Sequence, residues 1–238
     1  MHAPHPRLSM ALVLALGVLA SPARASERIA WIWDGTRVPA WSQAHAAVLV
    51  QHVLLSGDEV YTRPRGGQPA LAANARITPV VHVEVSTVRN PTPGPQAHAA
   101  ILHAMRRAAA LSTSGWVQLD MEARPSHRDA YLALVREIRR ELPPSVRLSV
   151  TALAWWCGSR SWLDEIAADE VVPMLFRMGR DGARLRTLWQ EQPWRLHPRC
   201  RAGAIGSGTP EPLPADVTAR YEKVYVFDAS RWRDAGQR

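Results

Sequence analysis

Apolar runs of strand length and amphipathic runs of helix length alternate along nearly the whole chain, with short connections between them. Strands are expected near 29–33, 78–85, 116–122, 147–153, 171–176, 202–207 and 224–228. A hairpin is expected where 53–56 and 60–62 flank Gly57-Asp58. Helical spacing predicts helices over 41–50, 96–111, 161–167, 183–190 and 215–222. The clearest helix follows Ser126 and Asp129, which have capping-box spacing, and ends at Pro143-Pro144. Alternating β and α units argue for a parallel sheet, and eight such units argue for a compact (β/α)8 barrel. The chain ends soon after the last strand, so the last helix is expected to be shortened. An open doubly wound sheet is the alternative; no Gly-x-Gly-x-x-Gly follows a strand to favour it.

Barrel active sites form at the carboxyl ends of the strands. Here those ends are polar. One strand ends His82-Val83-Glu84, the next Gln118-Leu119-Asp120-Met121-Glu122, and a later one Phe176-Arg177. The first and last end in Asp34 and Asp228. Side chains alternate faces along a strand. Gln118, Asp120 and Glu122 therefore share one face, and Val117, Leu119 and Met121 the other. The apolar set suits the helix layer, which leaves the polar set for the lumen. By the same parity His82 and Glu84 face inward. Carboxyls crowded together cannot all ionise freely, so one is expected to stay protonated and serve as a general acid. Arg177 is the natural neutralising partner. The competing reading is structural, with the same carboxylates locked in ion pairs.

Tryptophan is the commonest aromatic residue, with ten Trp against four Tyr and two Phe. Trp33, Trp155, Trp156 and Trp232 lie at or just past expected strand ends. Their flat faces suit sugar rings, while Trp31, Trp116, Trp162 and Trp189 read as core. No His-Glu-x-x-His, Cys-x-x-Cys, phosphate loop or nucleophile elbow is present, so neither a metal nor a cofactor is expected.

The start of the chain reads as a secretory leader. Arg7 precedes an apolar run over 10–20, Ser21-Pro22 breaks it, and Ala23-Arg24-Ala25 has the small-x-small pattern of a cleavage site. A leader over 1–25 and one barrel domain over 26–238 are expected, with the mature start near Ser26. No second long apolar run follows, so no transmembrane segment remains after cleavage. Cys157 and Cys200 either pair, as an oxidising compartment allows, or are separately buried. The net charge of +8 comes mostly from scattered arginines. Without a basic block it does not point to nucleic acid, although it would attract acidic polymers weakly. A monomer is expected.

Three strings carry a resemblance: Val117-Gln-Leu-Asp-Met-Glu-Ala-Arg124, Ser149-Val-Thr-Ala-Leu-Ala-Trp-Trp-Cys157, and Asp169-Glu-Val-Val-Pro-Met-Leu-Phe-Arg-Met-Gly179. Together they resemble a bacterial family known as domain of unknown function 3142, grouped with glycosidase-like TIM barrels. More distantly, Gln118-x-Asp120-x-Glu122 resembles the Asp-x-Asp-x-Glu strand end of family-18 glycoside hydrolases. That resemblance implies Glu122 as general acid and Asp120 as orienting carboxylate. Met174-Leu-Phe176 is similar to that family's Met-x-Tyr. The chain departs from the pattern at Gln118, Phe176 and Arg177. The resemblance implies an exported, glycoside hydrolase-like protein acting on a polysaccharide. Its alternatives are a carbohydrate-binding barrel that does not cut, or a structural envelope barrel. Candidate substrate-binding residues are Gln118, His82, Glu84, Trp33, Trp155, Trp156, Arg177, Asp228 and Trp232.

Overall fold

The computed structural model describes residues 25–42, 44–86, 94–158, 163–209 and 212–228. Trp232, the segment after Asp228 and nearly all of the expected leader lie outside the described residues. Strands β1 (Glu27–Ile32), β2 (His45–Ser56), β4 (Arg76–Val85), β5 (Trp116–Met121), β6 (Arg147–Leu153), β7 (Glu170–Met174), β8 (Ala204–Thr209) and β9 (Lys223–Asp228) run parallel around a ring. β1 pairs with β9 on one side and with β2 on the other, which closes the barrel. β3 (Glu59–Pro64) stands outside the ring, antiparallel to β2. The chain is a single-domain TIM-like α/β barrel.

Helices α1 (Pro95–Ala110), α2 (Arg128–Glu141), α3 (Gly182–Glu191) and α4 (Ala215–Thr218) connect later strands. α1 and α2 bury Ile101, Met105, Leu134, Val135 and Ile138 against the outward row Val81, Val83, Val117, Leu119 and Met121. The strand alternation thus sorts its apolar row onto the helix layer, as parity requires.

Two local expectations are corrected. Residues 41–50 are not helical: Ala40–Ser42 is a 3-10 turn and His45–Ser56 is one long strand. A parallel strand buried on both faces reads as a continuous apolar run, and Ala46-Ala-Val-Leu49 is such a run. The outward side of β1 and β2 is covered by Val38, Leu71 and Ile77 rather than by a helix. The expected Ser126 cap is also absent. Pro125–His127 forms a 3-10 turn that places His127 at the cap of α2, with no side-chain cap bond.

The lumen is filled below its mouth. Trp31 stacks on Tyr225 with ring centroids 5.0 Å apart. Gly206 admits that indole, because a Cβ there would meet it at 3.0 Å. Cys157 and Cys200 are joined, tying the turn after β6 to the turn before β8. No described helix is long and apolar enough to cross a membrane.

Candidate active site at the barrel mouth

Three layers of lumen-facing side chains rise toward the carboxyl rim. The lowest is a closed polar chain. Trp31 Nε1 donates to Gln118 Oε1 at 2.6 Å, and Gln118 Nε2 donates to Ser149 Oγ at 3.0 Å. Ser149 and Tyr225 hydroxyls both donate to Glu170 Oε1 at 2.9 Å, and Lys223 Nζ sits 2.5 Å from Glu170 Oε2. Gln118 is fully buried here, beneath the cleft and outside its lining.

The middle layer is set by strand register. Arg63 pairs with His52, His52 with His82, and His82 with Asp120. A bulge in β2 between Leu49 and Gln51 makes this possible. Without the extra residue, Gln51 would oppose His82. Asp120 is gripped from both sides. His82 Nδ1 donates to Oδ2 at 2.8 Å, and Thr151 Oγ1 donates to Oδ1 at 2.7 Å. Burial disfavours the His82 imidazolium, but the Asp120 hydrogen bond and the Asp120, Glu84 and Glu122 charges outweigh it and hold its pKa above the ordinary value. Beside it, Asp34 accepts from His52 Nε2 at 3.1 Å, Arg63 Nη1 at 2.9 Å and the Gly66 amide at 3.2 Å. These contacts anchor the β2–β3 hairpin to the end of β1. They also keep the Asp34 pKa below the carboxylate norm, although burial pulls it upward.

The top layer is the open one. Glu84 and Glu122 line a cleft of about 710 Å³ together with Trp33, His82, Asp120, Thr151, Trp155, Phe176 and Arg177. Glu122 reaches solvent through the mouth, yet its carboxyl is flanked by protein. Partial burial and the Asp120 charge push its pKa up, Glu84 adds to this, and His82 and Arg177 pull it down. The result is an asymmetric pair on one strand face: an acid whose pKa is pushed upward, two residues from a carboxyl engaged by His82 and Thr151. Such an arrangement can protonate a leaving group beside a stabilising negative charge.

The aromatic candidates separate. Trp33 is buried with its edge toward His82, centroids 6.0 Å apart, and Trp155 lines the cleft. Trp156 points the other way, fully buried against Tyr131 at 5.4 Å. Asp228 accepts from Thr209 Oγ1 at 3.0 Å and is not among the cleft-lining residues. Phe176 and Phe227, stacked at 5.2 Å, build the wall opposite the carboxylates. Arg177 has φ +52°, a left-handed conformation unusual for a residue with a side chain, and one that clusters at functional sites. Thr151 and His52 were not among the sequence candidates. Ser149-Val-Thr151 shows the same alternation as β5, so Thr151 was detectable. Among the described residues no group of three or more His, Cys, Asp or Glu is placed to hold a metal ion.

No protein-family model matches the chain, and no curated protein matches it in sequence. Among solved structures it is similar to the spore cortex-lytic enzyme SleL of Bacillus cereus, with 13% identity and a TM-score of 0.49 over 78% of this chain and 51% of that one. The chain spans about half the length of that protein.

Proposed function

We propose that the mouth cleft binds a glycan and hydrolyses a glycosidic bond, with Glu122 as general acid and Asp120 as the charge-stabilising, orienting carboxylate. The observation that carries this reading is the difference in environment between the two carboxyls. Glu122, open to the cleft, has a raised pKa; Asp120, two residues below, is held by His82 and Thr151. Environments that push paired acids apart are how one fold assigns acid and base roles. Trp155 and Trp33 would offer apolar faces to the sugar, and Glu84 and Arg177 would bind hydroxyls or other polar groups. The three strings quoted above support membership of family 3142. The leader-like start and the Cys157–Cys200 disulfide support export to the periplasm or outside the cell. Monomeric action fits a site built from one chain.

A second reading is a barrel that binds glycan without cutting it. It is favoured by Asp120 having both oxygens already engaged by protein donors. The purified protein incubated with chitin, peptidoglycan and envelope polysaccharides separates the two. Release of reducing ends that drops roughly 10²–10⁴-fold in Glu122→Gln supports the acid role. Binding with equal background release from both proteins supports the second reading.

A further inference from the structure

One side of the barrel mouth is taller than its flanks. β2 and β4 stay paired as far as Leu55 and Val85, whereas the pairing of β1 with β2 ends at Val48 and that of β5 with β4 at Val83. β3 lies along the upper part of β2, so three strands form a wall there. Two contacts identify its inward face. Val60, opposite Leu55, packs with the helix-layer core, and Arg63 reaches inward to Asp34 at 2.9 Å. Side chains alternate, so Tyr61 shares the inward face with Arg63. Register then sets one row across the wall, with Tyr61 opposite Leu54 and Leu54 beside Glu84. That row stands two residues above the one that joins His52 to His82. Glu84 lines the mouth cleft, and Leu54 and Tyr61 lie just beyond its lining. Tyr61 is 52% exposed. Among the described residues the other exposed large apolar side chains are Trp41, Leu111 and Trp194, in the segments that lead into β2, β5 and β8 at the far end of the barrel.

We propose that Tyr61 and Leu54 form a distal sugar subsite, which holds one ring of a saccharide chain while another ring of the same chain lies beside Glu122. This rests on the glycan reading above and narrows the ligand to a chain of several rings. Neighbouring strands lie roughly 4.8 Å apart, so the Tyr61 strand stands roughly 10 Å from the Glu84 strand, and the Glu122 strand is one spacing further. One ring beside Glu122 does not cover that span, and a chain does. Tyrosine suits the position because it offers an apolar ring face and a polar tip. Leu54 continues the apolar floor, and the exposed Glu84 carboxyl can accept from hydroxyls between the two ends. The hairpin is also fastened in place. Asp34 accepts from Arg63 and the Gly66 amide, and Arg65 Nη1 donates to Ile32 O at 3.0 Å. A ligand therefore meets a wall already formed and does not have to order it.

Length dependence of binding tests it. Chito-oligosaccharides and peptidoglycan glycan fragments, each as a short form of one or two rings and a long form of several, are titrated into the purified protein by calorimetry. The long forms are expected to bind more tightly. Tyr61→Ala should lower their affinity roughly three- to tenfold and leave that of the short forms unchanged. Tyr61→Phe should keep most of the preference for length. Trp194→Ala, which removes an exposed ring at the far end of the barrel, should leave both affinities unchanged. In the parent protein the Tyr61 ring signals should move in NMR spectra with a long ligand and stay still with a short one. Circular dichroism checks that each variant is folded. The subsite is overturned by Tyr61 signals that ignore the long ligands, or by equal affinity for both lengths. It is also overturned if Tyr61→Ala weakens both lengths alike, which would mean that the hairpin only shapes the cleft, or if Trp194→Ala matches its effect, which would mean general apolar adhesion. Each of these results, with short forms still bound, leaves the glycan reading standing. Absence of binding at either length overturns that reading and this inference with it.

Discussion

His82 and Asp120 face each other across adjacent parallel strands, with Nδ1 2.8 Å from Oδ2. Register aligns them, and the β2 bulge places His52 behind His82 with ring centroids 5.8 Å apart. Asp120→Asn keeps the shape but removes the charge. Burial then acts on the imidazole with less opposition, so the His82 pKa should fall. An NMR titration of the His82 ring reads this directly, and an unchanged midpoint would show that Asp120 does not govern it. Because the folded value is raised, the pair's stabilisation is complete below the ordinary imidazole value of about 6.5 and fades as pH climbs through the folded value.

Glu122 gives the opposite linkage to a salt-bridged acid. Its folded pKa is raised, so the folded protein holds more protons than the unfolded chain between the ordinary value of 4.5 and the raised one. Stability contributed by this site therefore falls as pH rises through that window. Glu122→Gln cannot ionise. It is expected to gain stability relative to the parent on going from about pH 4 to about pH 7 in urea unfolding. A difference independent of pH would mean that the two states titrate alike.

Gln118 shares a strand face with Asp120 and Glu122 but not their role. It is sealed below the cleft by Trp31 and Ser149. Gln118→Leu strands the Trp31 N–H in a buried site and should cost about 1–3 kcal/mol. Ligand affinity should scarcely change in the fraction that remains folded. Loss of affinity with stability intact would instead place residue 118 in contact with ligand.

Gly208 has a packing reason to be glycine. A Cβ there would lie 2.6 Å from Phe176 Cβ and 2.9 Å from its Cγ. Gly208→Ala must push Phe176 off the strand, at about 1–3 kcal/mol. Phe176 walls the mouth cleft, so ligand binding there should weaken along with the thermal midpoint. A variant with the parent's midpoint would show that the neighbourhood yields without strain.

The candidate site was legible in one strand and partly hidden in the others. Alternation in Gln118-Leu-Asp-Met-Glu122 places its polar row on one face whatever the neighbours are. What stands beside that row depends on register, and register is written in no single strand. The bulge that brings His52 rather than Gln51 into line leaves no mark in composition. Residues 41–50 misled for a related reason, since a strand buried on both faces loses its period of two. Trp155 and Trp156 are adjacent in sequence, yet one lines the cleft and the other enters the core. A 3-10 turn over Ala154–Gly158 sets that difference, and nothing in two consecutive indoles foretells it.

That turn is fastened by the Cys157–Cys200 bond and by the His197 amide, which donates to Cys157 O at 2.8 Å. The bond closes a loop with a sequence separation of 43. Loop-closure entropy for that length gives roughly 4 kcal/mol of stabilisation. The effect should also be local, because Trp155 lies two residues from Cys157 and faces the cleft. Cys157→Ala/Cys200→Ala, or reduction of the parent protein, should lower the denaturant midpoint. Either change should also weaken the proposed glycan binding in protein that is still folded, as the Trp155 turn loosens. The two routes should agree, because both remove the same tether. A midpoint that ignores reductant would mean that the tether holds no more than the surrounding core already does. A lowered midpoint with unchanged binding would mean that the turn keeps its shape unaided and that Trp155 is positioned by packing alone.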